Sequence, residues 1–222
     1  MKKFVSILAF VFSLLLALPT YAAESFFDKG DIWWHKATPE DVEYLIKQGA
    51  DVNTRYERGQ TPLMIATLFN KNEAVTETLI KYGADVNARD EIGWTALMSA
   101  AQNQNEKIIE TLIKNGADIN AKNQGGRTAL MTAIKFNQNL RVIEILLKNG
   151  SDVNARDTMI GWTALIEAVH SENPAKAEIL INHGADVKPR DEIGKTALDY
   201  AKENPKIYRT DLYWKLNDLM YK

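Results

Sequence analysis

One phrase recurs about every 33 residues in this chain, and no other feature limits the fold as much. It first reads Gly-Gln-Thr-Pro-Leu-Met-Ile-Ala, and its copies occupy residues 59–66, 93–100, 126–133, 161–168 and, less well preserved, 194–201. A second phrase, Gly-Ala-Asp-Val-Asn or a close variant, alternates with it and begins at Gly49, Gly83, Gly116, Gly150 and Gly184. Self-similarity at this period predicts a solenoid of stacked units and not a single globular core.

The segment 85–116 shows what one unit is expected to form. It begins with an extended finger whose tip lies at residues 89–93, and Thr95 then caps a short first helix. A second helix is predicted from an apolar stripe, and Gly116 ends that helix in the left-handed conformation that glycine tolerates. The stripe consists of Ile108, Ile109, Leu112 and Ile113. Neither helix buries its apolar side alone, so neighbouring units must stack.

These units resemble ankyrin repeats over about residues 40–203. The family's Thr-Pro-Leu-His-x-Ala box matches residues 61–66, and alanine replaces the proline in later copies. The family histidine is replaced in every copy, by Met64, Met98, Met131, Ile166 and Asp199, and a buried packing role suits Met or Ile. In place of the glycine usual between the helices, Asn70 and Asn137 are expected to adopt a left-handed backbone. The implied fold is all-α, an ankyrin-repeat solenoid of stacked helix-turn-helix units with β-turn fingers, capped at both ends.

The repeats predict a division of the chain into seven segments. Residues 1–22 are expected to be a signal peptide, and residues 23–57 an N-terminal cap or degenerate repeat in which Trp33 and Trp34 cover the first full repeat. Four repeats are expected at residues 58–87, 92–121, 125–155 and 160–189. Residues 190–222 then form a degenerate repeat and a C-terminal cap helix. The alternative for the helix over 211–221 is a docking site for a partner.

The first residues have the layout of a secretory signal peptide. Lys2 and Lys3 precede the uncharged run 4–18, and small residues at Thr20 and Ala22 predict cleavage between Ala22 and Ala23. The alternative is an uncleaved membrane anchor, but the run is shorter than the roughly 20 residues that a spanning helix needs. We therefore expect an exported protein, periplasmic or secreted. The chain has no cysteine, which excludes a lipidated lipoprotein and any disulfide.

Charge and motif content argue against several functions. Cleavage would remove Lys2 and Lys3 and take the formal net charge from −2 to −4, which disfavours nucleic acid and anionic membrane as partners. The three histidines show no metal-ligand spacing, and there is no cysteine nucleophile, phosphate-binding loop or nucleophile elbow. We expect no enzyme activity, no cofactor and no metal site, and a monomer whose partner is a protein.

Three polar series recur once per unit. Asp85, Asp118, Asp152 and Asp186 are expected to satisfy turn backbone, and the amides of Asn53, Asn87, Asn120 and Asn154 to bond finger backbone. The third series is basic: Arg55, Arg89, Lys122, Arg156 and Arg190. It predicts either a track for an acidic partner or, as the favoured alternative, cations neutralised by the adjacent Asp90, Asp157 and Asp191.

The family resemblance implies a concave face of fingers and first helices that binds protein. Some residues on this concave face are not needed for the packing of the repeats. They include large aromatic and aliphatic side chains, the types that dominate binding energy. The predicted binding residues are Glu57, Arg58, Gln60, Leu68, Phe69, Glu91, Ile92, Trp94, Gln102, Asn103, Gln124, Arg127, Lys135, Phe136, Thr158, Met159, Ile160, Trp162 and His170. Packing against adjacent fingers is the alternative role. A small-ligand carrier or an enzyme accessory subunit using the aromatic surface is the alternative function.

Overall fold

The structure, a computed structural model, describes residues 30–222. The predicted signal peptide, the cleavage site between Ala22 and Ala23 and the start of the N-terminal cap lie outside the described residues. Within them are twelve α-helices: α1 (Gly30–Lys36), α2 (Pro39–Lys47), α3 (Pro62–Phe69), α4 (Glu73–Lys81), α5 (Ala96–Ala100), α6 (Glu106–Lys114), α7 (Ala129–Phe136), α8 (Leu140–Lys148), α9 (Ala164–His170), α10 (Pro174–Asn182), α11 (Ala197–Glu203) and α12 (Asp211–Met220). A 3₁₀ turn covers Glu57–Gly59. Over the same range there is no β-sheet, only an isolated bridge between Arg156 and Thr163.

The helices form two rows, as a stack of helical pairs requires. First helices contact first helices in the order α1, α3, α5, α7, α9 and α11, and second helices do so in the order α2, α4, α6, α8, α10 and α12. Within a pair, α3 contacts α4, α5 contacts α6, α7 contacts α8 and α9 contacts α10. The predicted all-α repeat solenoid is therefore confirmed.

Short polar side chains set where each helix begins. The hydroxyl of Thr95 accepts a hydrogen bond from the backbone N–H of Met98 at 3.3 Å, and the phrase threonines of the other four copies cap in the same way. Asparagines start the second helices of the four full repeats, as Asn105 does for α6. These caps satisfy helix donors that would otherwise have no partner. Gly116, at φ +85°, ends α6 as predicted.

The apolar stripes of both rows meet in one continuous core. Ile108, Ile109 and Leu112 of α6 are fully buried, as the spacing predicted. The methionines that replace the family histidine, Met64, Met98 and Met131, are buried as well. Asp199 differs, because its carboxylate forms a capping box with Thr196 instead of packing in the core.

Asn70 and Asn137 differ from the prediction. Both have extended backbones, with φ of −88° and −87°, so the expected left-handed conformation is wrong. The reason lies in their buried side chains. The amide of Asn137 donates to the carbonyls of Ala101 at 3.0 Å and Asn103 at 2.7 Å in the preceding repeat, and its oxygen accepts from the N–H of Asn139. The asparagines therefore join adjacent units and do not form a tight turn.

The two ends of the described stack are closed by aromatic and aliphatic side chains. Trp34 of α1 is buried and Trp33 half-buried against the core. At the other end, Leu212 and Leu216 of α12 are buried where this helix contacts α10 and α11. The helix thus packs as the expected cap. No helix between residues 30 and 222 is long and apolar enough to cross a membrane.

Candidate protein-binding face

Backbone hydrogen bonds join each finger to the next. The N–H of Glu91 donates to the carbonyl of Arg58 at 2.9 Å, and that of Gln124 donates to Ile92 at the same distance. The third and fourth fingers are joined by the N–H of Thr158 and the carbonyl of Gly125 at 2.9 Å, and Glu192 continues the series. The fingers therefore form one connected surface, called the finger face below together with the adjoining ends of the first helices.

An aspartate closes the tip of most fingers. One oxygen of Asp90 accepts the N–H groups of Ile92 and Trp94. In the fourth finger, which is one residue longer, an oxygen of Asp157 accepts three N–H groups, from Met159, Ile160 and Gly161. The additional residue is thus held by the same carboxylate. Because these tips are internally bonded, their backbones are ordered before any partner arrives.

Three arginines of the basic series bond backbone carbonyls and not the adjacent aspartates, whereas a track for an acidic partner stays a prediction, since the five side chains are exposed. The guanidinium of Arg55 donates to the carbonyl of Arg89 at 2.7 Å, Arg89 donates to the carbonyl of Lys122, and Arg156 donates to that of Arg190. The predicted pairing with the adjacent aspartates is wrong because those carboxylates accept N–H groups from their own finger tips. The arginines instead bridge the backbones of successive fingers.

The other two polar series have the expected structural roles. The amide of Asn53 donates to the carbonyl of Gly83 and accepts from the N–H of Asp85, which links one unit to the next. The same pair of bonds recurs at Asn87, Asn120 and Asn154. Each aspartate of the series accepts the N–H two residues later, as Asp85 does from Asn87. The asparagines and aspartates of these two series therefore bond backbone within and between units, which is a structural role.

Four of the predicted binding residues carry large apolar side chains that remain in solvent. The exposed fractions are 53% for Ile92, 49% for Phe136, 70% for Met159 and 45% for Ile160. Ile193, at the tip of the fifth finger, is 73% exposed and extends the same line. Large apolar side chains placed together on a surface mark sites of interaction.

Trp94 and Trp162, unlike the exposed apolar side chains, are held by hydrogen bonds of their indole N–H groups. The indole N–H of Trp94 donates to the hydroxyl of Ser99 at 3.1 Å. Trp162 donates to the carboxylate of Asp191 at 3.3 Å, and its ring lies 4.7 Å from that of His170 and 5.6 Å from that of Tyr200. Both indoles are half-buried, so each serves packing and still presents an edge of its ring.

Asp191 is the polar centre of this aromatic group. Burial alone would raise the pKa of its carboxyl, but hydrogen bonds from Tyr200, the N–H of Lys195, Trp162 and the N–H of Ile193 outweigh burial and hold the pKa below its usual value. The hydroxyl of Tyr200 donates to Asp191 at 2.7 Å, and burial together with this bond raises the tyrosine pKa. The group is therefore a fixed, ionised anchor for the aromatic rings around it.

Several predicted binding residues have partners inside the stack. Asn103 donates to the carbonyls of Thr67 and Asn70, and Gln124 donates to that of Glu91. Arg127 pairs with Glu167 at 2.9 Å, while the hydroxyl of Thr158 lies 3.4 Å from the carbonyl of Gln124. The remaining predicted residues are at least partly open to solvent on the finger face: Glu57, Arg58, Gln60, Leu68, Phe69, Glu91, Gln102, Lys135 and His170.

Comparison with known families covers most of the described stack. A model of ankyrin repeats in three copies matches residues 34–123, one of ankyrin repeats in many copies matches residues 112–168, and a single ankyrin repeat matches residues 160–192. The chain belongs to the ankyrin-repeat family. Ankyrin repeats are protein–protein interaction modules and are typically non-catalytic. No curated protein matches the chain.

Two clefts lie beside first helices of this ankyrin stack, and one of them adjoins the first two fingers. One, of about 490 Å³, lies between the finger residues Arg58 and Ile92 and the helix residues Leu68 and Gln102, with Trp94 as part of its wall. The second, of about 470 Å³, is lined by Phe69 among others. Phe136 and Trp162 line neither, so neither of these two clefts joins Trp94 to the other two large aromatics of the finger face.

Sequence reasoning missed two residues of this face. Tyr200 belongs to the degenerate fifth unit, and His35, whose ring lies 5.2 Å from that of Phe69, belongs to the cap. Aligning the degenerate units with the full ankyrin repeats would have found Tyr200, because it takes the position of Ser99. The cap lacks the repeated phrase, so no comparable signal was present for His35.

Proposed function

We propose that this ankyrin-repeat protein is exported and binds a protein partner through its finger face, without catalytic activity of its own. The observation that carries the proposal is the exposure of Ile92, Met159 and Ile160 on fingers whose backbones are bonded to one another, and of Phe136 at the adjoining end of α7. Because the finger backbones are already ordered, covering these apolar side chains costs side-chain entropy but no ordering of a loop, so more of the gain from their burial remains as affinity.

Charges of both signs lie on this surface, and some of them are already paired within the stack, which favours apolar contact as the main attraction. Lys195 of the fifth finger pairs with Glu203 at 2.6 Å, and Arg127 is paired inside the stack. Acidic and basic side chains, such as Glu91 and Arg58, occur together near the first cleft. A partner held chiefly by apolar contacts should bind with little dependence on salt, in contrast to one attracted by net charge.

The export proposal rests on residues 1–22, whose charged start, apolar run and small residues before Ala23 fit a cleaved signal peptide. N-terminal sequencing of the exported protein should give Ala-Glu-Ser. A chain that retains Met1 and sediments with membranes would contradict export and support the anchor.

Binding is tested with a partner captured on the protein and then purified. We expect Phe136→Ala and Ile160→Ala each to weaken the affinity about tenfold or more while leaving the melting temperature nearly unchanged, because both side chains are largely exposed. The matched control is Trp214→Ala, which removes an exposed aromatic from α12. If only the control variant weakens binding, the partner docks on the C-terminal helix and the finger face is not the site.

A small-ligand carrier remains the second candidate, supported by the cleft beside Trp94, whose volume suits a small molecule. In that case a small molecule, and no protein, should co-purify with the exported chain. Trp94→Ala should then abolish its retention, whereas Phe136→Ala should not.

A further inference from the structure

Buried asparagine side chains join the first units across their boundaries. Asn70 donates to the carbonyls of Trp34 and Ala37 in the cap. Asn103 donates to Thr67 and Asn70 of the first repeat, each at 3.1 Å, and Asn137 donates in the same way to the second. The neutral amide satisfies carbonyls at the end of the preceding first helix without bringing a charge into the stack.

The boundary between the third and fourth repeats lacks this asparagine. The corresponding turn of the fourth repeat is Ser171-Glu172-Asn173, in which Glu172 has a φ of +58° and Asn173 caps α10. The ammonium of Lys176 takes over the missing contact, donating to the carbonyl of Ile134 at 2.5 Å. Ile134 holds the same place after its capping threonine as Ala101 does in the second repeat.

Lys176 is the third residue of α10, and its counterparts show what that position ordinarily contains. The third residues of α4, α6 and α8 are Val75, Ile108 and Val142, all fully buried. Lys176 is only 3% exposed. Burial lowers its pKa, and the attraction of Glu167 offsets only part of that effect. Among the residues that the structure describes, no carboxylate lies within 4 Å of its amine.

Three further charged groups meet at the same boundary. Arg127 of the third repeat pairs with Glu167 of the fourth at 2.9 Å, and its other nitrogen lies 4.0 Å from Asp157. The Glu167 position holds Ile65, Ser99 or Thr132 in the other repeats. Buried ion pairs contribute little net stability, because desolvation of the charges cancels much of their attraction. This boundary therefore relies on costly contacts where its neighbours use neutral ones.

In a repeat protein each unit contacts only its neighbours, so the weakest boundary determines where the stack separates. We propose that the boundary between α7–α8 and α9–α10 is a joint at which α9–α12 separate from α1–α8 and unfold as one group while α1–α8 remain folded. Opening would break the bond between Thr158 and Gly125 and divide the finger face between Phe136 and Trp162. The protein would thus contain a built-in means of dismantling its own surface.

The test is hydrogen exchange at low denaturant, read by mass spectrometry over each helix. In the parent protein, α9–α12 should exchange as one group, with a step in protection between α8 and α9. Gradual loss of protection from the C-terminus inward, or a step at another boundary, would overturn the proposal without reference to any variant.

The decisive variant is Lys176→Val, which restores the residue type of the other repeats and leaves the pair between Arg127 and Glu167 intact. Protection of α9 and α10 should rise about tenfold or more, since an apolar replacement removes the cost of a buried charge. Lys148→Val removes an exposed lysine and the same charge, and should leave the step unchanged. Unchanged or reduced protection in Lys176→Val would refute the joint.

Discussion

Removing the side chain of Asn137 tests whether buried amides hold the stack together. Asn137→Ala removes two donors, to Ala101 and Asn103, and one acceptor, for Asn139, at a site with no solvent exposure. The fold of α7 itself should persist, because its cap at Thr128 is untouched. The loss therefore falls on the contact between the second and third repeats.

The magnitude follows from counting these bonds. Each contributes about 1 kcal/mol net, and a buried group left without a partner costs about 1–3 kcal/mol. We expect a loss of about 3–5 kcal/mol in the free energy of unfolding, a large part of the roughly 5–15 kcal/mol typical of a domain. With a urea slope of about 2 kcal/mol per molar, the midpoint should fall by about 1.5 M or more.

The assay is urea unfolding followed by circular dichroism. Its control is Asn115→Ala, which removes an amide that donates to its own helix at an exposed position and should cost no more than about 0.5 kcal/mol. If the two variants unfold at the same urea concentration, the buried amide of Asn137 contributes no more stability than the exposed amide of Asn115, and the proposed role of buried amides at unit boundaries is wrong.

Three further outcomes are expected from other sites. Gly116→Val should lower the free energy of unfolding by about 1–3 kcal/mol through backbone strain alone, since a Cβ there meets no atom within 4 Å. Gly126→Val should lower it further, because its Cβ would lie 2.7 Å from the backbone nitrogen of Thr158. Thermal melts of both variants check this order. Leu112→Ala should lose about 2–5 kcal/mol in urea unfolding through the cavity it leaves. The stability advantage of Lys176→Val over the parent should be largest below the lowered pKa of Lys176. It should shrink as the pH rises from there towards 10.5, because the neutral amine costs less to bury than the charged one. Parallel urea titrations check this, and an advantage that grows with pH would contradict it.

Local spacing predicted most of the fold. Thr95 caps the first helix and Gly116 ends the second because each acts on backbone within a few residues, and the stripe of α6 follows from helical periodicity. The exposure of Phe136 on the finger face also agrees with its repeat position. These features depend on neighbours in sequence, so the sequence alone identifies them.

The errors arose where a side chain reaches the next unit. Asn137 bonds carbonyls more than 30 residues earlier, and Arg89 bonds one 33 residues later, so no local pattern shows either partner. Lysine is ordinarily a surface residue, and the burial of Lys176 becomes apparent only by alignment with Val142 and its counterparts. The spacing of the units was predictable, whereas the choice of contact across each boundary was not.

Binding through the finger face is tested most directly by photo-cross-linking in the full chain. A photoreactive amino acid is placed at Phe136 or Met159 on the finger face, and at Lys114 or Lys148, which are exposed near the ends of second helices. The account predicts that the same protein is cross-linked from both finger-face positions and from neither second-helix position. A partner cross-linked only from the second helices would contradict it.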